Sequence, residues 1–212
     1  MTTSAYFETR MKADPRRAAV WREIARYLQR WVPETGAVAD LGAGHCGFIN
    51  AIRAREKHAV DPWEGAAAHA APGVLVHRAP AHALEFFKEG TLDAVFASNL
   101  LEHLDAKTLG HTLAEIRRTL RPGGRFLIIQ PNFRYAYKVY FDDYTHEKIY
   151  THESLKDTLL AAGVEVEHVE PRFLPFSFKS RLPASPWLVR LYLALPWRPL
   201  AGQMFLVARK PV

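Results

Sequence analysis

Along this chain, short apolar runs alternate with stretches in which apolar positions recur every three or four residues. Runs at 37–41, 57–61, 74–76, 91–98 and 125–130 read as buried strands. Before the first of them, Val20, Trp21, Ile24, Tyr27, Leu28 and Trp31 fall on one helical face, and Asp14 ahead of Pro15 is a good N-cap for that helix. Phe48, Ile49 and Ile52 begin a second helix running to about Arg55, and 79–84 opens a third. Leu109, Leu113, Ile116 and Leu120 stripe a fourth over 106–120, which stops at Arg121-Pro122-Gly123-Gly124. Strands alternating with helices predict a parallel sheet covered on both faces. Ligands of such sheets sit at the carboxyl ends of the strands, where Gly42, Asp61, Asn99 and Gln130 fall.

The first strand runs into Asp40-Leu41-Gly42-Ala43-Gly44-His45-Cys46-Gly47, glycines spaced D-x-G-x-G-x-x-G ahead of a helix. Glycine suits such a turn because the backbone must take positive φ and a Cβ would hold a ligand away from it. The spacing alone fits a nucleotide site or an ordinary strand-to-helix connection. Asp61, 21 residues after Asp40, changes the balance. An acid about 20 residues past the turn is where a ribose diol is bound, and two hydroxyl donors suit two carboxylate oxygens. Trp63 is placed either to pack on an adenine face or to join the core.

Composition narrows the class. With 212 residues, 49% hydrophobic and 24% charged, the chain suits one globular domain. No apolar segment approaches the roughly 18 residues of a membrane span. The opening Met1 to Glu8 lacks a basic region followed by an apolar run, so no signal peptide is expected. The single cysteine, Cys46, excludes an intrachain disulfide, fits a cytoplasmic location and reads as a packing residue of the glycine turn. The net charge of +6 is C-terminal: residues 171–212 hold seven basic side chains and no acid, whereas the rest hold 21 basic and 22 acidic.

Four stretches together resemble class I S-adenosylmethionine-dependent methyltransferases. They are the Asp40 to Gly47 turn, the strand-end Asp61, the run Asp93-Ala94-Val95-Phe96-Ala97-Ser98-Asn99-Leu100-Leu101-Glu102-His103-Leu104, and Leu120-Arg121-Pro122-Gly123-Gly124. A nicotinamide-binding fold would account for the first two but not for the last two. The resemblance implies an α/β, Rossmann-like, doubly wound seven-stranded sheet with an antiparallel last strand and helices on both faces. Val164 to Val169 and Gln203 to Ala208 fit the last two strands. Residues 1–33 then form an N-terminal helical cap, 34–170 the core, 171–202 an insertion between the last two strands, and 203–212 the last strand and tail.

The implied cofactor is S-adenosylmethionine, with Gly42, Ala43 and Gly44 at its methionine end. Asp40, Asp61, Pro62, Trp63, Ala81, His82, Ser98, Asn99, His103 and Arg10 complete the expected cofactor set. Where the family often has an acid after the third strand this chain has Ala81-His82, so that contact falls to backbone or to His82.

Methyl transfer from a sulfonium requires alignment and, for a hydroxyl acceptor, removal of a proton. His103 is placed for a cofactor-side, structural or catalytic role. The segment Tyr140 to His152 packs three acids, two histidines and three tyrosines into 13 residues, more polar and aromatic than a connection needs. His146 is a candidate base there, oriented by Asp142 or Asp143. Thr151 reads as a helix cap and His152 as an exposed residue. Asp142, Asp143 and His146 lack a repeated ligand spacing, so no metal is expected.

Tyr6, Phe7, Asn132, Arg134, Tyr135, Tyr140 and Tyr144 are the candidate contacts to the acceptor. The expected acceptor is a small molecule, a hydroxyl of a sugar, lipid-linked or natural-product intermediate. N- or C-methylation and a silent methyltransferase-like scaffold are the alternatives. The insertion carries six prolines, five of the seven C-terminal basic residues, and Phe173, Phe176, Phe178, Trp187, Tyr192 and Trp197. It reads as a peripheral membrane contact, a lid, or a homodimer interface. Nucleic acid is disfavoured, because Ser98-Asn99-Leu100-Leu101 replaces the Asn/Asp-Pro-Pro-aromatic sequence of base-amino methyltransferases.

Overall fold

The computed structural model describes residues 15–175 and 185–212. Helix α1 (Pro15–Leu28) leads through a 3₁₀ turn to β1 (Ala37–Leu41), followed by α2 (Gly47–Ala51), β2 (Glu56–Val60), β3 (Val74–His77) and β4 (Leu92–Ser98). Then come α3 (Ala106–Thr119), β5 (Leu120–Pro131), a short α4 (Phe133–Ala136), α5 (His152–Ala161), β6 (Glu165–Glu170), α6 (Pro186–Ala194) and β7 (Gln203–Arg209). The strands form one seven-stranded sheet in the order β3-β2-β1-β4-β5-β7-β6. The first five are parallel to one another, and β7 runs antiparallel between β5 and β6.

Period-two alternation divides each central strand between two cores. Ala94 and Phe96 of β4 join Leu127, Ile129, Phe205 and Val207 beneath α1, which contributes Val20, Ile24, Ala25 and Leu28. Val95 and Ala97 face the other way with Phe126, Ile128, Leu206 and Ala208, under the Leu109, Leu113 and Ile116 stripe of α3 and Leu155 and Leu159 of α5. The sheet is thus sandwiched, and its carboxyl edge is left for ligands.

Two expected helices differ. The second is only five residues long and ends at Ala51, not near Arg55. Ile52 turns extended, and the Arg53 amide is taken by Gln29 Oε1 at 3.0 Å. No helix forms over 79–84, where the chain makes successive turns. The Arg118 guanidinium stands in for helical hydrogen bonding there, donating to the Leu84 and Phe87 carbonyls at 2.9 Å each while paired with Glu115. The Asp14 cap, Tyr6, Phe7 and Arg10 lie outside the described residues.

Candidate active site

The glycine turn folds over the ends of β1 and β2. Gly42 and Gly44 take φ of 69° and 49°, and Cys46 is left-handed at 56°. The amides of Gly42 and Ala43 donate to the Val60 carbonyl at 2.9 and 3.3 Å, tying the turn to β2. A Cβ on Gly42 would stand 3.2 Å from Leu100 Cδ1, so the glycine makes room for the Leu100 side chain as well as for the left-handed backbone. Gly47 has a different reason: a Cβ there would come within 2.3 Å of the Trp21 ring of α1. Cys46 is buried, and burial pushes its thiol up to about 12, which suits the packing role expected of it.

Two buried acids lie under this turn. Asp61 accepts from the Gly44 amide at 2.8 Å and the Trp63 amide at 2.7 Å, one on each carboxylate oxygen. Each oxygen keeps acceptor capacity for a ligand hydroxyl. Burial raises its pKa and the two amide bonds oppose the rise. Asp40, 3% exposed, is raised well above the usual carboxylate range, by burial first and then by the charge of Asp61. The arrangement suits S-adenosylmethionine: a carboxylate for a ribose diol sits against a Cβ-free turn with left-handed backbone.

The remaining expected cofactor residues scatter along the same edge. Trp63 is half-buried, its ring 5.6 Å from that of His69 and 5.2 Å from that of His45. Pro62 and His82 are exposed and Ala81 is buried. Asn99 is left-handed at φ 50°, donates its amide to the Ile129 carbonyl at 2.8 Å, and bonds Ser98 Oγ and Gln203 Nε2 through its side chain. Gln203 escaped the sequence reading. Gln130, expected at the ligand edge from its place at the carboxyl end of β5, is fully buried with neither amide atom hydrogen-bonded among the described residues.

The aromatic segment after β5 is clamped onto the end of β4. The Glu102 carbonyl accepts from the Glu147 and Lys148 amides at 2.8 and 3.0 Å, which brings His146 beside His103, ring centroids 4.9 Å apart. His103 Nδ1 lies 3.1 Å from the Thr145 carbonyl, an acceptor only, so the proton sits on Nδ1 and the lone pair on Nε2. Burial holds the His103 pKa below its ordinary value. Asp143 braces the same corner, accepting from Thr145 Oγ1 at 2.6 Å and from the Thr145 amide at 3.1 Å.

Several expected acceptor contacts turn out to be internal. Asn132 is wholly buried, caps α4 through the Arg134 amide, donates to the Pro171 carbonyl at 2.9 Å and meets His152 Nδ1 at 3.1 Å. His152 is therefore buried, not exposed, because Asn132 holds it at the start of α5. Thr151 caps that helix in a reciprocal box with Ser154. Tyr140 is also wholly buried, its hydroxyl donating to the Lys148 carbonyl and its ring 4.5 Å from that of His146. Arg134, Tyr135 and Tyr144 remain exposed.

The insertion is anchored inward more than its charge suggested. Arg190 on α6 forms a two-pronged pair with Glu23 of α1 at 2.9 and 3.0 Å. Arg198 is buried, pairing with Glu170 and donating to the Leu193 carbonyl at 2.9 Å. Arg172 stacks over Tyr135 and Trp197, 4.6 and 5.8 Å from their ring centroids. The outward face of the described part is apolar: Trp187, Leu191, Trp197 and Leu200 are exposed. Phe176, Phe178, Lys179 and Arg181 lie outside the described residues, and no described helix is long and apolar enough to cross a membrane. A groove of 640 Å³ between α3 and α5 contains none of the strand-edge residues. It lacks the buried carboxylates and the positive-φ turn of the sheet edge.

A seven-stranded sheet of this order, with a glycine turn at its carboxyl edge, is the fold of class I S-adenosylmethionine-dependent methyltransferases. The family model described as the methyltransferase domain matches residues 39–128, the stretch from β1 through most of β5. No curated protein matches the sequence. Among solved structures it is similar to an S-adenosylmethionine-dependent methyltransferase from Archaeoglobus fulgidus, at 23% identity and TM-score 0.71, covering 99% of this chain and 100% of that one. It is also similar to the 1,6-didemethyltoxoflavin-N1-methyltransferase of Burkholderia thailandensis, at 22% identity and TM-score 0.60, over 92% and 80% of the two chains. A third is a chain of a Haloferax volcanii methyltransferase complex with the Trm112 activator, at 18% identity and TM-score 0.68, over 92% and 90%. Matches at these identities establish the fold.

Proposed function

We propose that this methyltransferase methylates a hydroxyl of a small acceptor, a sugar, lipid-linked or natural-product intermediate, bound against the segment that follows β5. The observation that carries the reading is the His103–His146 pair, 4.9 Å apart, at the end of β4. Leu100, three residues before His103, packs against the glycine turn, so the pair adjoins the cofactor cradle. S-adenosylmethionine supplies a methyl group already activated on a sulfonium. The chain's own residues have to hold the acceptor oxygen in line with it and receive the proton that the oxygen loses.

Gly42, Ala43 and Gly44 offer backbone to the methionine end, and Asp61 takes the ribose hydroxyls. Pro62, Trp63, Ala81 and His82 border the adenine, while Ser98, Asn99 and His103 close the methyl side. His146 and His103 handle the acceptor's proton, with Asp143 holding Thr145 and through it His103. Tyr135, Tyr144 and Arg134 meet the acceptor, and Asn132 and Tyr140 shape its walls from within. The stack Tyr135–Arg172–Trp197 carries this wall onto the exposed apolar face of the insertion, which favours an acceptor with an apolar or lipid carrier. The geranyl diphosphate methyltransferase among the solved structures of this fold, named for a diphosphate on an apolar chain, is consistent with that choice.

Calorimetry with S-adenosylhomocysteine is expected to show micromolar binding. Asp61→Ala is expected to weaken it at least about tenfold, the scale of one or two hydrogen bonds to a charged group. Absence of binding, or binding untouched by Asp61→Ala, would refute the cofactor assignment. A tritiated-methyl transfer screen over sugars, phenols, amines and lipid-linked intermediates tests the acceptor, and label appearing on amines alone would overturn the hydroxyl reading.

A further inference from the structure

We propose that Glu102, His103 and His146 form a site for a divalent cation of the zinc type at the carboxyl end of β4. One ligand atom from each residue lies within 4.8 Å of the other two. Glu102 is 0% exposed, and neither of its carboxylate oxygens has a hydrogen-bond partner on another described residue. A carboxyl group buried without a donor is costly, and an adjacent cation offsets that cost without needing one. One carboxylate with two imidazoles is the donor set of open zinc sites, which keep a fourth position for water or substrate.

The surroundings are built as a ligand set requires. The Thr145 carbonyl fixes His103 with its lone pair on Nε2, and Asp143 in turn fixes Thr145. Such backing of a ligating histidine orients the ring and raises its basicity. His146 is set in place by its chain neighbour Glu147, whose amide is bound to the Glu102 carbonyl at 2.8 Å. Tyr140 covers His146 from below, ring centroids 4.5 Å apart.

In the open position a coordinated acceptor hydroxyl loses its proton to solvent more readily, because the cation stabilises the oxygen anion. The oxygen–hydrogen bond breaks there. The oxygen–carbon bond then forms as the carbon–sulfur bond breaks, giving the methylated acceptor and S-adenosylhomocysteine. The two histidines thus act on the proton through the cation instead of taking it up themselves. This last step rests on the hydroxyl-acceptor reading; the cation site does not.

The test uses the full chain, stripped with a chelator, then titrated with Co²⁺ and followed by visible absorption and metal analysis. Saturation near one equivalent, with bands bleached by Zn²⁺, is the expected result. Glu102→Gln and His146→Gln should each weaken cobalt binding by about 100-fold or more, with S-adenosylhomocysteine binding retained as the check on folding. Substitution of His111, exposed on α3 away from the cluster, should leave cobalt binding unchanged. A wild-type chain that binds S-adenosylhomocysteine but gives no cobalt bands overturns the cation site and leaves the methyltransferase reading intact. Bands equally strong in both ligand variants overturn it too. A chain that binds cobalt but labels only amines removes the hydroxyl step and upholds the site.

Discussion

Each glycine of the turn answers to a different neighbour. Gly42 faces Leu100 at positive φ, whereas Gly47 exists because the Trp21 indole lies where a Cβ would be. That indole in turn packs edge-on against Phe96 of β4, ring centroids 6.1 Å apart. Gly47→Ala should therefore push α1 off the sheet and cost about 1–3 kcal/mol, the usual penalty for overpacking. In a domain of this size that lowers the thermal midpoint by about 2–4 °C per kcal/mol. Trimming the ring in the same chain, with Trp21→Ala, should make the glycine substitution nearly neutral, because the two residues share one contact. Calorimetric midpoints for the two single variants and the double variant check this, and strictly additive losses would contradict it. The positive-φ glycine turn and the strand-end acid beside it were readable from sequence because both depend on local spacing. The burial of Glu102 was not, since it arises from 147–148 folding back onto the Glu102 carbonyl.

Among the elements, the alternation of strand and helix was legible wherever the period was long and regular, as in α1, α3 and the five parallel strands. It failed at 79–84, where three of the six residues are alanine and a nonlocal guanidinium, Arg118, satisfies the chain's carbonyls in place of helical amides. Position along the chain likewise says nothing of how a basic side chain is paired, and the insertion shows the consequence. Arg190 and Arg198 counted toward a basic surface, yet one clamps α6 to α1 and the other is buried against Glu170, Tyr27 and the Leu193 carbonyl. Tyr27 donates to the same Glu170 at 2.5 Å, so α1, β6 and the insertion meet in one polar knot. Burial alone would raise the Glu170 pKa, but bonds from Tyr27, His168 and Arg198 hold it below the ordinary value. Arg198→Ala leaves that half-buried carboxylate with Tyr27 and His168 but without its guanidinium and should cost about 2–3 kcal/mol. Chemical denaturation checks the figure, and loss of less than about 1 kcal/mol would mean that the pair is solvated.

Two of the molecule's buried acids, Asp40 and Asp61, lie together under the one turn on which its binding reading depends. Asp40 and Asp61 both have pKa values raised chiefly by burial, and the Asp61 charge further disfavours ionisation of Asp40. The linkage has a definite sign. Below the ordinary Asp pKa of 3.8 both folded and unfolded chains carry Asp40 neutral, and the stabilising effect of its raised pKa is fully present. As pH climbs past that value the unfolded chain ionises first. Native stability then falls until the folded carboxyl ionises as well. Asp40→Asn keeps an acceptor for the Ile49 amide, which bonds the wild-type carboxylate, and removes the charge. It should raise the thermal midpoint at pH 8, by about 2–4 °C for each kcal/mol recovered, and the gain should shrink toward nothing as pH approaches 4. Scanning calorimetry of wild type and variant at several pH values measures the difference directly. A gain independent of pH would place its origin in packing, and a loss at pH 8 would show that the ionised Asp40 is held by donors in the folded chain. The ligand-free fold thus carries its binding turn at a cost in stability that rises with pH, and occupation of the turn by a ligand with donors for Asp61 should lessen it.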